Sequence, residues 1–162
     1  MDSYKIENWV KESVGNIKYY ELIYRATQHG DSNSASFSKC KNIPNLLWIM
    51  RDKNNNIFGC FHSLGINKTN TYIKDSKCFL FSVNRNKKYY PNLNINNNIY
   101  QCSSHVIEFG NNSVWEFNIG DKFLTSNTVF FGKGNIFNHN LEICNNSANV
   151  YLSELEVFKV VS

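Results

Sequence analysis

Cysteine, histidine and paired carboxylates are the side chains here that could carry nucleophilic, redox or metal chemistry. Five cysteines stand at 40, 60, 78, 102 and 144, with no C-x-x-C pair. Cys40 lies between Lys39 and Lys41, and neighbouring cations favour a thiolate that an oxidant can attack reversibly. The competing reading puts Phe37 and Cys40, three apart on a short helix, on one core-facing stripe. The core reading is preferred, and Cys40 is kept as the candidate redox residue. Cys60 and His62 would share one face of a strand. His105 and His139 are far from them in sequence, and zinc sites show tighter paired spacings. No metal site is therefore expected. Glu154 and Glu156 would also share a strand face, as acid and base or as a polar outer edge. Glu108 and Glu116 flank Gly110 and could meet across a hairpin. No phosphate-loop, dinucleotide, H-E-x-x-H or G-x-S-x-G motif is present. No catalytic residue and no cofactor is assigned, and the chain is not read as an enzyme.

Charge is distributed unevenly. The 162 residues carry a net charge of +4, and the 61–90 segment alone carries +5. Its cations are Lys68, Lys74, Lys77, Arg85, Lys87 and Lys88, beside Tyr89 and Tyr90. A basic patch with aromatic rings suits nucleic acid, and the alternative is a solvated lysine-rich loop. Asparagine is abundant, with 27 residues, and reads as turn filler because it tolerates left-handed backbone angles. An odd cysteine count with wide spacings and no hydrophobic leader suggests free thiols in a reducing compartment. That points to the cytoplasm, with the nucleus also open. No apolar run approaches the ~20 residues of a membrane-spanning helix.

The elements that must position these residues follow from periodicity. Residues 2–14 form an amphipathic helix, with Ile6, Trp9, Val10 and Val14 at helical spacing and Gly15 ending it. Residues 19–26 suit a strand, 29–31 a turn and 32–41 a short helix. From 45 onward the pattern is mostly β. Strands are expected at 46–50, 57–61, 78–83, 99–103, 106–109, 114–119 and 129–131, with 150–160 closing the fold. Residues 51–56 read as a hairpin loop, 84–98 as a long loop and 132–134 as a turn. Many short strands and two early helices suggest an α+β domain of two packed antiparallel sheets, a β-sandwich flanked by two or more short helices. The chain divides into a helical arm, 1–16, and one domain, 17–162.

The landmarks also occur in a familiar order. Leu22-Ile23-Tyr24-Arg25-Ala26 and Gly30 precede Phe37 and Cys40. Leu46-Leu47-Trp48-Ile49, Ile57-Phe58-Gly59 and Cys78-Phe79-Leu80-Phe81-Ser82-Val83 follow. Phe109-Gly110 and Glu154-Leu155-Glu156-Val157-Phe158 complete the series. This succession resembles a TLDc domain, the module of the oxidation-resistance proteins, over about 17–161. It departs from that pattern at Ser38, at Cys60 and in 109–116, where the usual Asp-Leu is missing. The resemblance implies two packed antiparallel sheets with helices, no established cofactor, and a link to oxidative-stress protection and to the V-type proton ATPase. On this basis the chain is expected to be a non-enzymatic interaction module. Its candidate contact residues are Gly30, Gly59, Gly110, Glu154 and Glu156, with the apolar face of the arm (Ile6, Trp9, Val10). The second reading is nucleic-acid binding through the basic 61–90 segment. The third is a cysteine-based antioxidant or redox sensor.

Overall fold

A computed structural model describes residues 2–111, 115–132, 136–139, 142–144 and 149–162. Residue 114 of the expected 114–119 strand and residues 133–134 of the expected turn lie outside these described residues. Helix α1 spans Asp2–Val14, α2 Ala26–His29 and α3 Asn33–Cys40. The first six-stranded antiparallel sheet contains β1 (Tyr19–Arg25), β2 (Leu46–Asp52), β3 (Ile57–His62), β5 (Phe79–Ser82), β6 (Lys87–Tyr89) and β12 (Leu152–Val161). Its spatial order is β1-β12-β2-β3-β5-β6. The second contains β4 (Tyr72–Ile73), β7 (Ile99–Tyr100), β8 (Ile107–Gly110), β9 (Trp115–Ile119), β10 (Val129–Phe131) and β11 (Asn149–Val150), in the order β11-β10-β9-β8-β7-β4. The expected α+β sandwich is therefore the fold observed.

Period-two alternation builds the first sheet. Leu46, Trp48 and Met50 of β2 face the second sheet, together with Phe58 and Cys60 of β3, Leu80 of β5, and Leu155 and Val157 of β12. Leu47, Phe61, Phe79, Phe81 and Val160 point the other way, where Ile6 and Val10 of α1 cover them. The Trp9 ring lies 5.8 Å from that of Phe81. The helix expected as an arm is thus packed as a third layer, because its i, i+4 apolar pair finds an apolar sheet face. Its end is set by Gly15 at φ +79°, whose N–H bonds to the Lys11 carbonyl. Such an angle favours glycine.

Several elements differ from expectation. The strand expected over 19–26 ends at Arg25, and the turn expected at 29–31 is preceded by α2. The expected closing strand is split. β11 joins the second sheet, and β12 lies between β1 and β2 instead of at an edge. A strand crossing from sheet to sheet reads as one run in sequence. β6 sits in the segment expected as a long loop, and β4 was not expected, because two or three residues hold no readable period. Asparagine does serve the turns. Among the described residues, six of the eight non-glycine residues at positive φ are Asn: Asn42, Asn45, Asn55, Asn70, Asn86 and Asn138. In the β2–β3 hairpin, Asp52 Oδ1 accepts from the N–H groups of Asn54 and Asn56, both at 2.8 Å, while Asn55 takes the left-handed angle.

Candidate functional site

Alternation leaves part of the first sheet's outer face uncovered. Beside the first two turns of α1 an apolar groove of about 180 Å³ is lined by Ser3, Ile6 and Glu7 of the helix and by Tyr20, Leu47, Ile49 and Phe158 of the sheet. Ile49 also borders a second depression, of about 260 Å³, formed with Met50, Arg51, Glu154 and Glu156. Nearby on edge strand β1, Tyr19 and Leu22 are 56% and 38% exposed. An apolar trough beside fixed charges suits a macromolecular surface. It offers area to desolvate and polar groups to set register.

The carboxylates there are held in place. Glu156 Oε2 accepts from Arg25 Nε and Nη2 at 3.1 and 2.7 Å. Glu154 accepts from the Thr27 hydroxyl at 2.5 Å and the Thr27 N–H at 3.2 Å. Both face the same side, as the spacing predicts. Gly30 is exposed and caps α2 at φ +99°. Gly59 and Gly110 are buried and present no surface. A Cβ at Gly59 would meet the Trp48 carbonyl oxygen at 1.9 Å and the Phe81 ring at 2.7 Å. Gly59 is needed because two strands and an aromatic ring close over it. Gly110 sits at an irregularity of the β8–β9 pairing.

The basic residues are tied to separate places. Lys68 stands at φ +61° and donates to the carbonyls of His105 and Val106. Burial lowers its pKa to about 8. Lys74 donates to the Leu93 carbonyl, and Lys87 pairs with Glu142 at 2.8 Å. Lys88 pairs with Glu12 at 2.9 Å and lies over the Phe79 ring, so it anchors α1. Lys77 and Arg85 are exposed. The cations near Tyr89 and Tyr90 therefore serve largely to fasten one element to another.

The thiols divide in the same way. Cys40, Cys60 and Cys78 are buried. Burial pushes Cys40 up to about 12 despite Lys68, so it keeps its proton at neutral pH. Cys60 and Cys78 are raised for the same reason. His62 lies in the core, where Nε2 accepts from the Trp48 indole at 2.9 Å and Nδ1 contacts the Leu64 carbonyl at 2.7 Å. Nδ1 must therefore carry the hydrogen, and burial holds the ring's pKa below its ordinary value. Glu108 and Glu116 are not brought together. Glu116 is fully buried, 3.3 Å from His139 Nε2, whereas Glu108 turns to His105.

That contact belongs to the cluster the sequence reading missed. Cys102, His105 and Glu108 converge where the β7–β8 connection enters β8. His105 Nδ1 lies 2.7 Å from Glu108 Oε2, and one ligand atom from each of the three residues falls within 4.8 Å of the others. Burial opposes ionisation of Cys102. Hydrogen bonds from Ser104 Oγ and from the backbone of Ser104 and His105 outweigh it and hold the thiol below its usual range. Bonding to Glu108 raises His105 against the effect of burial. The sequence signal is the compact spacing Cys102-x-x-His105-x-x-Glu108, which the wide separation of the other cysteines and histidines obscures.

Among the described residues no helix is long and apolar enough to cross a membrane. The family model of the TLDc domain matches residues 3–161, α1 included. No curated protein matches the chain.

Proposed function

Because the chain belongs to the TLDc domain family, we propose that it is a non-enzymatic interaction module of the cytoplasm that acts in oxidative-stress protection by docking on subunits of a V-type proton ATPase. The observation that supports this reading is the apolar groove on the first sheet, which Ile49 joins to the depression holding the carboxylates of Glu154 and Glu156. Arg25 and Thr27 restrain those carboxylates before a partner arrives, which reduces the ordering cost of association. α1 walls one side of the groove with Ser3, Ile6 and Glu7, so a partner can add beside the helix in the same layer.

The experiment is a binding titration of the full chain with purified peripheral-stalk subunits of the pump. Saturable binding is expected, and Ile49→Glu, which puts a charge into the trough, should weaken it at least tenfold with the far-UV spectrum unchanged. No binding by the wild-type chain, or equal binding by I49E, would overturn the reading.

A further inference from the structure

The three side chains at the β7–β8 connection offer one sulfur, one imidazole nitrogen and one carboxylate oxygen to a common point. We propose that Cys102, His105 and Glu108 form a binding site for a zinc-class divalent cation, with the fourth position open to water or an exogenous ligand. Hard cations such as magnesium and calcium require mostly oxygen donors, whereas zinc accepts this mixed set. Bond lengths of roughly 2.0–2.3 Å to zinc place tetrahedral ligand atoms about 3.3–3.7 Å apart. The cluster spans that range, with one pair at 2.7 Å and none beyond 4.8 Å. Small side-chain rotations therefore complete the geometry. Two anionic ligands cancel the charge of a dication. The nearby Lys68 ammonium is engaged by the carbonyls of His105 and Val106.

The loop carrying the ligands is held from outside, as a preformed site requires. The Gln101 side chain donates to Thr69 and Thr71, and its Oε1 accepts from the Asn67 N–H. Asn70 accepts from the Ser103 N–H, and Asn33 donates to the Ser103 carbonyl. Ser104 Oγ stands 3.1 Å from the Cys102 sulfur. Entry is open on one side, since the side chain of His105 is 36% exposed while that of Glu108 is 13% exposed. Three protein ligands with a free fourth position is the arrangement of an exchangeable or catalytic site, in contrast to closed structural zinc.

The test is titration of the chelator-treated full chain with cobalt(II), then zinc(II). One equivalent of cobalt should bind with a near-ultraviolet thiolate charge-transfer band, and zinc should displace it. Cys102→Ser should abolish the band, His105→Ala should weaken zinc at least tenfold, and Glu108→Gln should keep the band but bind more weakly. Cys40→Ser should change nothing. If C102S fails to fold, the band and the E108Q affinity decide. No band, a band that survives in folded C102S, or E108Q affinity equal to wild type would overturn the proposal.

Discussion

In the first sheet, β2 sends Leu46, Trp48 and Met50 inward and Leu47 and Ile49 outward, and ten-residue β12 continues that rule beside it. In the second sheet, β4 and β7 supply two residues each, and side chains bind the ends together. Asp75 accepts from the N–H groups of Ser63 and Leu64 and from the Ser63 hydroxyl, which ties the end of β3 to the segment after β4. Asn98 exchanges two bonds with the Asp75 backbone. The first sheet is specified by apolar burial and the second, at its β4–β7 end, by satisfied polar groups. Ionisable side chains can gather in the second region because hydrogen bonds already organise the backbone there. An apolar groove can exist on the first because α1 covers only part of its outer face.

The largest effect should come from overfilling the apolar sheet. Gly59→Val forces a side chain against the Trp48 carbonyl and the Phe81 ring and should destabilise the fold by about 3 kcal/mol or more in urea unfolding. A loss below ~1 kcal/mol would mean that the two strands can separate freely. Next, Asp75→Ala removes a buried acceptor from several donors and should cost about 2–3 kcal/mol. The comparison sharpens if hydrogen exchange then rises first in 63–75 and 98–101, and it breaks if β2 and β12 open together with them.

A pH series probes the polar node of the first sheet. Burial depresses His62, so below the ordinary value of ~6.5 the unfolded chain takes up the proton first. The stability from the neutral, doubly bonded ring is fully present above that pH and is lost as pH falls towards the folded-state value. Unfolding midpoints at pH 7.5 and 5.5 should show this loss, and His62→Gln should reduce the slope. The smallest effect belongs to the helix anchor. Glu12 is half exposed, so a double-mutant cycle of Glu12→Gln with Lys88→Met should give a coupling of only about 0.5 kcal/mol. A coupling above ~2 kcal/mol would make the ion pair, not Ile6 and Val10, the main attachment of α1.

These regions also differ in how far residues disclose them. The alternations in β2, β3, β5 and β12 and the Ile6–Val10 stripe of α1 are readable because burial imposes a period. β4, β6 and β7 are not, because two or three residues carry none. The need for glycine at position 59 depends on Phe81, 22 positions later. Cys102, His105 and Glu108 stand at a suggestive spacing. Their convergence depends on a loop held by Asn33, Asn67, Asn70 and Gln101, and no local pattern predicts those bonds. Asparagine's excess reads as turn filler, and at six of the described positions it supplies left-handed angles.

Side-chain footprinting by hydroxyl radicals, with and without the pump's peripheral-stalk subunits, tests the docking claim most directly. Tyr19, Leu22, Ile49 and Phe158 should be protected at least threefold in the complex, with Tyr72 and Tyr100 on the second sheet unchanged. Protection confined to Tyr72 and Tyr100, with Tyr19 and Leu22 oxidised as in the free chain, would contradict it.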